Sequence, residues 1–404
     1  GRLRGHVFSL NCRHLLNQIE LIERLKNEQY DVMILEHFHM CGMGLSHILQ
    51  PKSVIAVSST GLFGHQFDDF GVPASLSYNP SHYTVSLDVH SFWSRAKNIY
   101  AEVLERLFFK ALIDDTQALF RELYGDGFPT FTALSSRVAY VLVNSDPLID
   151  YATPTLNRVI YIPGIGSNNP KKLDERWESI MTKRDRVVLF SLGSIAKSSM
   201  LSDAAKHSIL KTMSRFPNVT FIWKYEEPQD DFSTKYVSLI DNVIISQWMP
   251  QADLLNHERT VAFITHGGMA STQELIASGT PGVFIPLFGD QPRNAGMMER
   301  NGLGKVFNKF ELHDDEKLTK TVGDVIDNEK FRRNAKQISK VVSNRPFSSK
   351  ELLVKYTEFA AEFGPSSSLR PLSMDMDWIE YHNADIIFVG LTLAIVISYL
   401  NIKI

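Results

Sequence analysis

Cysteine is scarce in this sequence, and its scarcity excludes one class of metal site. The 404 residues contain two cysteines, Cys12 and Cys41, which are too few for the cysteine-rich zinc ligand sets. They are either two buried free thiols or a Cys12–Cys41 disulfide, which would need an oxidising compartment. Both alternatives stay open at this point.

Positive charge is not in excess either. The formal net charge is −3 at pH 7, and no Lys/Arg stripe interleaved with aromatic residues occurs along the chain. Recognition of a nucleic-acid backbone depends on a concentrated basic surface. We therefore expect no nucleic acid among the partners.

Long hydrophobic runs are absent until the end of the chain, where residues 386–402 (IIFVGLTLAIVISYLNI) carry no charge. A transmembrane helix needs about 20 residues, with about 17 as the lower limit. The alternative, a buried carboxy-terminal helix, would normally have a polar face. Acidic residues precede the run and Lys403 follows it, which by the positive-inside rule puts the globular part in a lumen or outside. The single sequon, Asn218-Val219-Thr220, fits that location.

Apolar segments rich in β-branched residues alternate with helical patterns. An amphipathic helix is predicted over 12–28, and strands are predicted at 31–35, from 54 and from 138. Residues 58–135, rich in aromatics, predict loops and helices that cap one face. Five further strands begin at Arg186, Val219, Asn242, Val261 and Gly282. Continuous apolar strands separated by helices indicate parallel sheets covered on both faces.

The predicted fold class is therefore α/β, with two Rossmann-like doubly wound domains and a carboxy-terminal transmembrane helix. The predicted parts are a partial amino-terminal domain (1–165), a linker (166–185), a second domain (186–345), helices that pack back with a juxtamembrane segment (346–385), and the transmembrane helix (386–402). In such sheets, ligands bind where strands end and helices begin.

The segment FITHGG ends one predicted strand, so His266, Gly267 and Gly268 lie at such an edge. The helix that begins at about Met269, with Ser271 in its first turn, presents free backbone N–H groups, and the glycines let a phosphate approach closely. Alone, this pattern is more typical of a strand-end turn with a structural histidine. No G-x-G-x-x-G follows a strand, so the pattern is not a dinucleotide fingerprint.

Five neighbouring side chains suit the remaining parts of a sugar nucleotide. Trp248 offers an aromatic plate for a base with Gln251 beside it, and Glu274 can accept from vicinal ribose hydroxyls. Asp290 and Gln291 suit sugar hydroxyls. Taken singly, Trp248 is more often a core residue, Glu274 a solvated helix acid, and Asp290 the N-cap of the next helix.

These motifs together resemble a known family. W-x-P-Q, F-I-T-H-G-G with a glutamate after five further residues, P-L-F-x-D-Q, FSLGS and WIEYH before a hydrophobic tail are similar to the UDP-glycosyltransferases, in particular the membrane-bound UDP-glucuronosyltransferases of animals, with an invertebrate-like character. The resemblance implies the glycosyltransferase-B architecture, with an acceptor-binding amino-terminal domain. It also implies a single-pass protein of the endoplasmic reticulum membrane with a lumenal globular part, and a role in detoxification.

The resemblance also implies a role for each donor-site residue. Trp248 would stack on uracil, Gln251 would contact the nucleoside and Glu274 would hold the ribose. The diphosphate would be held by Ser194, His266 and the backbone around Gly267, Gly268 and Ser271, and the sugar by Asp290 and Gln291. The sequence departs from the family at Ala270, where many relatives carry asparagine.

The family's chemistry is an inverting displacement in which a histidine base takes the acceptor proton; it needs no metal and no cofactor beyond the UDP-sugar co-substrate. Glu36 matches the family's acid that orients this base, and the alternative is a strand-end acid facing solvent. The base should follow the first strand of the amino-terminal domain. Because the chain opens on Gly1, we expect that segment to be missing and this chain alone to be inactive. His6, His14, His37 and His39 do not match the motif.

Rival functions follow from that expectation. The chain is either part of a UDP-glycosyltransferase, or a catalytically inactive, truncated or regulatory UDP-sugar-binding partner of active relatives; a non-transferring binder would not need Glu36. The donor is UDP-glucuronate or UDP-glucose, and Arg293 or Lys197 is the candidate partner of a glucuronate carboxylate. The family implies a small lipophilic acceptor and allows a homo- or hetero-oligomer. The aromatic residues that could line the acceptor pocket, or form core, are Phe63, Phe67, Phe70, Tyr78, Tyr83, Phe92 and Trp93.

Overall fold

The computed structural model describes residues 2–167 and 170–402, and the side chains of 8–167 and 170–401. The strands, in chain order, are β1 (Val32–Glu36), β2 (Ser53–Ser58), β3 (Tyr140–Val143), β4 (Val159–Tyr161), β5 (Arg186–Ser191), β6 (Val219–Lys224), β7 (Val243–Ser246), β8 (Thr260–Thr265), β9 (Gly282–Phe284) and β10 (Gly304–Val306).

The helices are α1 (Arg2–Leu16), α2 (Ile19–Asn27), α3 (Cys41–Leu49), α4 (Gly64–Phe70), α5 (Phe92–Tyr124), α6 (Phe131–Ser135), α7 (Glu175–Met181), α8 (Asp203–Ser214), α9 (Asp231–Lys235), α10 (Gln251–Leu255), α11 (Met269–Ser278), α12 (Gln291–Arg300), α13 (Asp315–Asp327), α14 (Glu329–Ser343), α15 (Ser349–Phe363), α16 (Trp378–Tyr381) and α17 (Ala384–Ile402). Short 3₁₀ turns occur at Ser198–Met200, Val237–Leu239, Lys309–Glu311, Ser367–Leu369 and Leu372–Asp375.

The strands form two parallel sheets, as the sequence predicts. The first has the order β1-β2-β3-β4, and the second has the order β10-β9-β8-β5-β6-β7. In the second sheet the chain runs outward from β5 to β7, then returns to the other side of β5 and runs outward from β8 to β10. The loops after β5 and β8 therefore diverge, and such a reversal of strand order opens a ligand crevice at the carboxyl ends of the strands.

Both faces of the second sheet are covered, which explains its uninterrupted apolar strands. Alternate residues of β5 point to opposite cores: Val188 and Phe190 pack on one side, Val187 and Leu189 on the other, and all four are buried. A strand buried on both faces cannot show the polar alternation of an exposed sheet. The fold therefore rests on apolar burial on both sides of the sheet.

The amino-terminal helical segment differs from its prediction. The single helix expected over 12–28 is two helices, α1 and α2, separated by Asn17 and Gln18. Cys12 of α1 and Cys41 of α3 form a disulfide with a Cα–Cα distance of 5.7 Å, which settles the alternatives left open by the sequence. This cross-link ties α1 to the helix that follows β1.

Three short elements escaped the sequence analysis. The strands β4 and β10 have three residues each, too few to establish a periodicity. The helix α7 lies within the predicted linker, where Asp174 caps its first turn by accepting from the N–H of Trp177 at 2.8 Å. The interdomain segment is therefore partly helical.

The carboxy-terminal helices cross back to the first domain. Helix α15 packs against β1, β2 and β3, and Ser349 Oγ donates to the carbonyl of Pro163 at 2.7 Å. Helix α17 is long and apolar enough to cross a membrane, and no residue of its Ala384–Asn401 span is buried. The exposed surface of α17 is apolar. A helix that packs against the core of a soluble domain would instead have a polar face towards solvent.

Candidate active site

A cleft of about 810 Å³ separates the two domains. Its floor on the second domain is built by the loops after β5, β7, β8 and β9, and its opposite wall by residues from the first domain. Of the predicted site residues, those lining it are Ser194, Trp248, Gln251, His266, Gly268, Ser271, Glu274, Asp290 and Gln291. Because the carboxyl ends of parallel strands share one edge, residues far apart in sequence meet here.

The loops after β5 and β8 meet at His266. This side chain is mostly buried, and burial is the main reason that its pKa is lowered to about 4, opposed by attraction to Asp290. Nδ1 lies 3.3 Å from Thr265 Oγ1. The ring is therefore neutral at pH 7 and can donate one hydrogen bond.

Glycines make room for this ring. A Cβ added to Gly193 would lie 2.7 Å from the His266 ring, and one added to Gly268 would lie 2.5 Å from it. Gly267 has φ +81, a backbone conformation that side chains disfavour; it turns the chain into α11 and does not itself line the cleft. The first turn of α11, with buried Ser271 and exposed Ala270, is thus directed at the cleft.

The cleft lining includes an aromatic plate and a hydrogen-bonded acid. Trp248 is 70% exposed, so it is not the core residue that its type suggests. Gln251 Nε2 donates to Glu274 Oε2 at 2.6 Å and to Ser271 Oγ at 3.1 Å. Burial raises the pKa of Glu274, and the bond from Gln251 opposes that shift.

The cleft lining also includes Asp290 and Gln291. Asp290 occupies the N-cap position of α12 but does not cap the helix with its side chain. Its Oδ2 instead accepts from Asn294 Nδ2 at 2.6 Å and, across the cleft, from Thr60 Oγ1 at 3.1 Å. Gln291 Oε1 accepts from the N–H groups of Leu287 and Phe288, which leaves its amide nitrogen for a ligand.

Glu36 lies behind the wall formed by the first domain. It ends β1, its carboxylate accepts from the Ser59 N–H at 3.4 Å, and burial raises its pKa. Ser59 and Thr60 line the cleft, whereas Glu36 does not. The structure therefore does not bring Glu36 into the cleft with the other predicted residues.

A buried lysine is the main feature that sequence reasoning missed. Lys224 ends β6, lines the cleft and donates to the carbonyl of Gly193 at 2.5 Å. Its ammonium lies 5.5 Å from the centre of the Trp248 ring, within the range of a cation–π contact. The signal was present: a polar residue ends a continuous apolar strand at the edge where ligands bind.

The seven aromatic candidates for pocket lining or core lie in three different settings. Phe63, with Phe38, lines the cleft. Phe67 and Phe70 belong to the core of the first domain. The remaining candidates are exposed and line no part of the cleft: Tyr78, Tyr83, Phe92 and Trp93.

The two candidate cations for a glucuronate carboxylate lie outside the cleft lining. Arg293 is buried and forms an ion pair with Asp150 at 2.7 Å. Its Nε and Nη2 donate to the carbonyl of Pro80 and to Asn79 Oδ1. Lys197 is exposed in the loop after β5.

The fold also has solved counterparts. A glycosyltransferase of kitacinnamycin superimposes with a TM-score of 0.59 over 88% of this chain and 83% of its own, at 16% identity. Os79 from O. sativa, solved in complex with UDP, gives a TM-score of 0.57 over 82% and 77% of the two chains, at 17% identity. Two parallel-sheet domains with a cleft at the strand ends, together with this likeness, define the glycosyltransferase-B fold.

Sequence comparison identifies the family. The family model for UDP-glucuronosyl and UDP-glucosyl transferases matches residues 4–404, and the chain belongs to this family. Caenorhabditis elegans ugt-48 is 32% identical over 96% of the chain and 74% of its own length. Mouse UDP-glucuronosyltransferase 1A7 is 32% identical over 96% and 71%, and human UDP-glucuronosyltransferase 1A10 is 30% identical over 98% and 73%.

Proposed function

We propose that this chain is the UDP-sugar-binding part of an enzyme that transfers glucuronate or glucose to a hydroxyl of a small lipophilic acceptor, with inversion, and that it binds the donor in the interdomain cleft. The observation that carries the proposal is the set of unlike groups that line one cleft. These are an exposed aromatic plate at Trp248, an acid at Glu274, a helix amino-terminus with neutral His266, and Asp290 with Gln291. Each group matches one part of a UDP-sugar.

Electrostatics favours an anion at the amino-terminus of α11. The amino-terminus of α11 presents unpaired backbone N–H groups and the positive end of its dipole. Lys224 adds a buried positive charge nearby. In the proposed mechanism these groups stabilise the charge that develops on departing UDP, and no metal takes part in that step.

Glu36 is proposed to act as a positioning residue. Its carboxylate lies behind the cleft wall at Ser59, where it can hold a histidine base in the right tautomer and orientation.

The chain is also proposed to be anchored in the endoplasmic reticulum membrane by α17, with its domains in the lumen. The acidic residues before α17 and Lys403 after it support this orientation.

The first experiment measures donor binding by calorimetry with the full chain in detergent, using UDP-glucuronate and UDP-glucose. Trp248→Ala should weaken binding about 10- to 100-fold, because stacking on a base contributes about 1–3 kcal/mol. Glu274→Gln should weaken it comparably through loss of a charged acceptor. The matched controls are Trp93→Ala and Glu358→Gln, which change exposed residues outside the cleft.

The outcome separates the alternatives. Tight binding of one donor that only the cleft variants lose would support the donor site and identify the sugar. Release of UDP in the presence of a small phenol would then support transfer by this chain, against the expectation that it is inactive alone, whereas donor binding with no transfer agrees with that expectation. A folded sample that binds neither donor would refute the donor site itself.

A further inference from the structure

A second polar cluster lies inside the first domain and outside the cleft. His37 follows β1, and His65 and Asp69 lie one turn apart on α4. His37, His65 and Asp69 are 0%, 7% and 6% exposed, and none of these three residues lines the cleft. Side chains at positions i and i+4 of a helix share a face, so His65 and Asp69 point the same way.

The cluster leaves several buried polar atoms without a hydrogen-bond partner among the residues that the structure describes. These atoms are His37 Nδ1, both ring nitrogens of His65 and Asp69 Oδ2. Native proteins pair nearly all such atoms, because an unpaired one loses its hydration without compensation. One ring nitrogen of His65 and Asp69 Oδ2 are therefore available to a ligand that binds imidazole nitrogen and carboxylate oxygen together.

The donor set and its geometry fit a metal ion. One ligand atom from each of the three residues lies within 4.8 Å of the others, and His37 Nε2 is 3.9 Å from Asp69 Oδ2. Bonds of 2.0–2.1 Å to tetrahedral zinc place ligand atoms about 3.3 Å apart. Binding one ion would therefore require the ligand atoms to move closer together by up to about 1.5 Å.

The surroundings fit a zinc site as well. The His37 ring lies 4.5 Å from the Phe70 ring, and the His65 ring lies 4.1 Å from the Phe109 ring. These aromatic rings help to exclude water, which strengthens the attraction between a cation and its ligands, and the charges of Glu105 and Arg106 also act on His65. Two imidazoles and one carboxylate suit zinc, whereas calcium and magnesium prefer oxygen ligands.

We propose that His37, His65 and Asp69 bind one divalent cation of the zinc type, with the Ser135 hydroxyl as a neighbouring fourth ligand. Ser135 Oγ lies 2.8 Å from His37 Nε2, so an ion bound to that nitrogen meets this oxygen. Sequence reasoning assigned no role to His37, because it did not match a catalytic motif. The ligands come from three elements, β1, α4 and α6, which only the fold brings together.

The site is structural and stands apart from sugar transfer. An ion held there ties the end of β1 to α4 and α6. The loop that joins β2 to α4 contains Ser59, Thr60 and Phe63, which line the cleft. A metal at the base of α4 would therefore brace the wall of the cleft that belongs to the first domain.

The test is the metal content of the full chain, purified in detergent from cells grown with added zinc and dialysed against a chelator. Elemental analysis should find about one zinc per chain. His65→Gln and Asp69→Asn should each retain less than about a tenth of that zinc, since zinc affinity depends on each ligand. The matched controls His313→Gln and Asp68→Asn change exposed residues and should retain all of it.

Thermal unfolding gives a second reading that does not depend on activity. Removing zinc from the wild type with a strong chelator during mild heating should lower its unfolding temperature by several degrees, and adding Zn²⁺ should restore it. The same treatment should leave Asp69→Asn unchanged. Wild-type protein without zinc that also shows no saturable binding of added Zn²⁺, or zinc retained equally by both ligand variants, would overturn the proposal.

Discussion

Glu105 shows how one buried side chain organises the first domain. It lies on α5, is fully buried, and accepts from the Gly64 N–H at 2.7 Å, Ser81 Oγ at 3.0 Å and the His82 N–H at 3.1 Å. Burial by itself would raise its pKa. The attraction of His82 and these hydrogen bonds outweigh burial and lower the pKa to about 2.

The acid stability of the protein should depend on this residue. A carboxyl group whose pKa is lowered in the folded state stabilises the fold above its unfolded pKa, 4.5 for Glu105, and this stabilisation is lost as the pH falls towards 2. The shift corresponds to about 3 kcal/mol. We expect the free energy of unfolding of the wild type to fall by about that amount between pH 4.5 and pH 2, beyond the fall in Glu105→Gln.

Urea denaturation of the full chain in detergent at several pH values measures this difference. Glu122→Gln is the matched control, because Glu122 is exposed at the surface of the same helix. Equal slopes against pH for the wild type and Glu105→Gln would contradict the assignment.

At the scale of elements, the position of His266 in the β8–turn–α11 unit depends on the loop after β5. His266 lies between Gly193 and Gly268, and both approach the ring so closely that a Cβ would meet it. Gly193 also has φ +88, where a side chain adds backbone strain. The position of the histidine therefore depends on two glycines from two different strand ends.

Gly193→Ala should displace His266 and weaken UDP binding about tenfold, which corresponds to about 1.4 kcal/mol. Calorimetry with UDP measures the effect. Gly127→Ala is the control, because a Cβ there meets no atom within 4 Å, and it should bind UDP like the wild type. Unchanged affinity in Gly193→Ala would show that the ring is free to move without cost to the ligand.

At the scale of the whole molecule, α12 holds the two domains in contact. Arg293 of this helix pairs with Asp150 at 2.7 Å, and both side chains are at most 10% exposed. Its backbone N–H donates to the carbonyl of His82. His82 in turn contacts Glu105, so the interdomain contact and the buried acid of the first domain belong to one network.

Breaking this pair should destabilise the protein far more than breaking an exposed one. Arg293→Met leaves Asp150 without its partner and should lower the free energy of unfolding by about 3 kcal/mol. Lys110→Met removes an exposed pair with Asp114 and should cost less than about 1 kcal/mol. Urea denaturation of both variants, with Asp150→Asn added to complete a double-mutant cycle, measures the coupling.

A cycle with no coupling between Arg293 and Asp150 would show that the two domains do not depend on this pair. A coupling above about 1 kcal/mol would confirm it as an interdomain contact. The Lys110→Met value sets the background for loss of a surface charge in the same chain.

Much of the fold was predictable because its signals are local. The strands of the second domain are continuous apolar runs, and α11 begins at Met269 as expected. The three-residue strands β4 and β10 and the break between α1 and α2 were not predictable. Short segments take their conformation from neighbours that are distant in sequence.

The candidate site was also predictable from the sequence only in part. Nine predicted residues line one cleft, because each follows a strand of the same parallel sheet. Glu36 does not line it, and Lys224 was missed. The direction and depth of a strand-end side chain depend on packing between domains, which no local pattern encodes.

The sequence by itself determined the family, the parallel sheets and the apolar helix at the carboxyl end, since motifs and apolar runs are properties of short segments. Only the tertiary structure decided between free thiols and the Cys12–Cys41 disulfide. It also fixed Arg293 as an interdomain contact and gathered His37, His65 and Asp69 into one buried cluster. The physical reason is that burial and long-range proximity arise only when separate elements pack together.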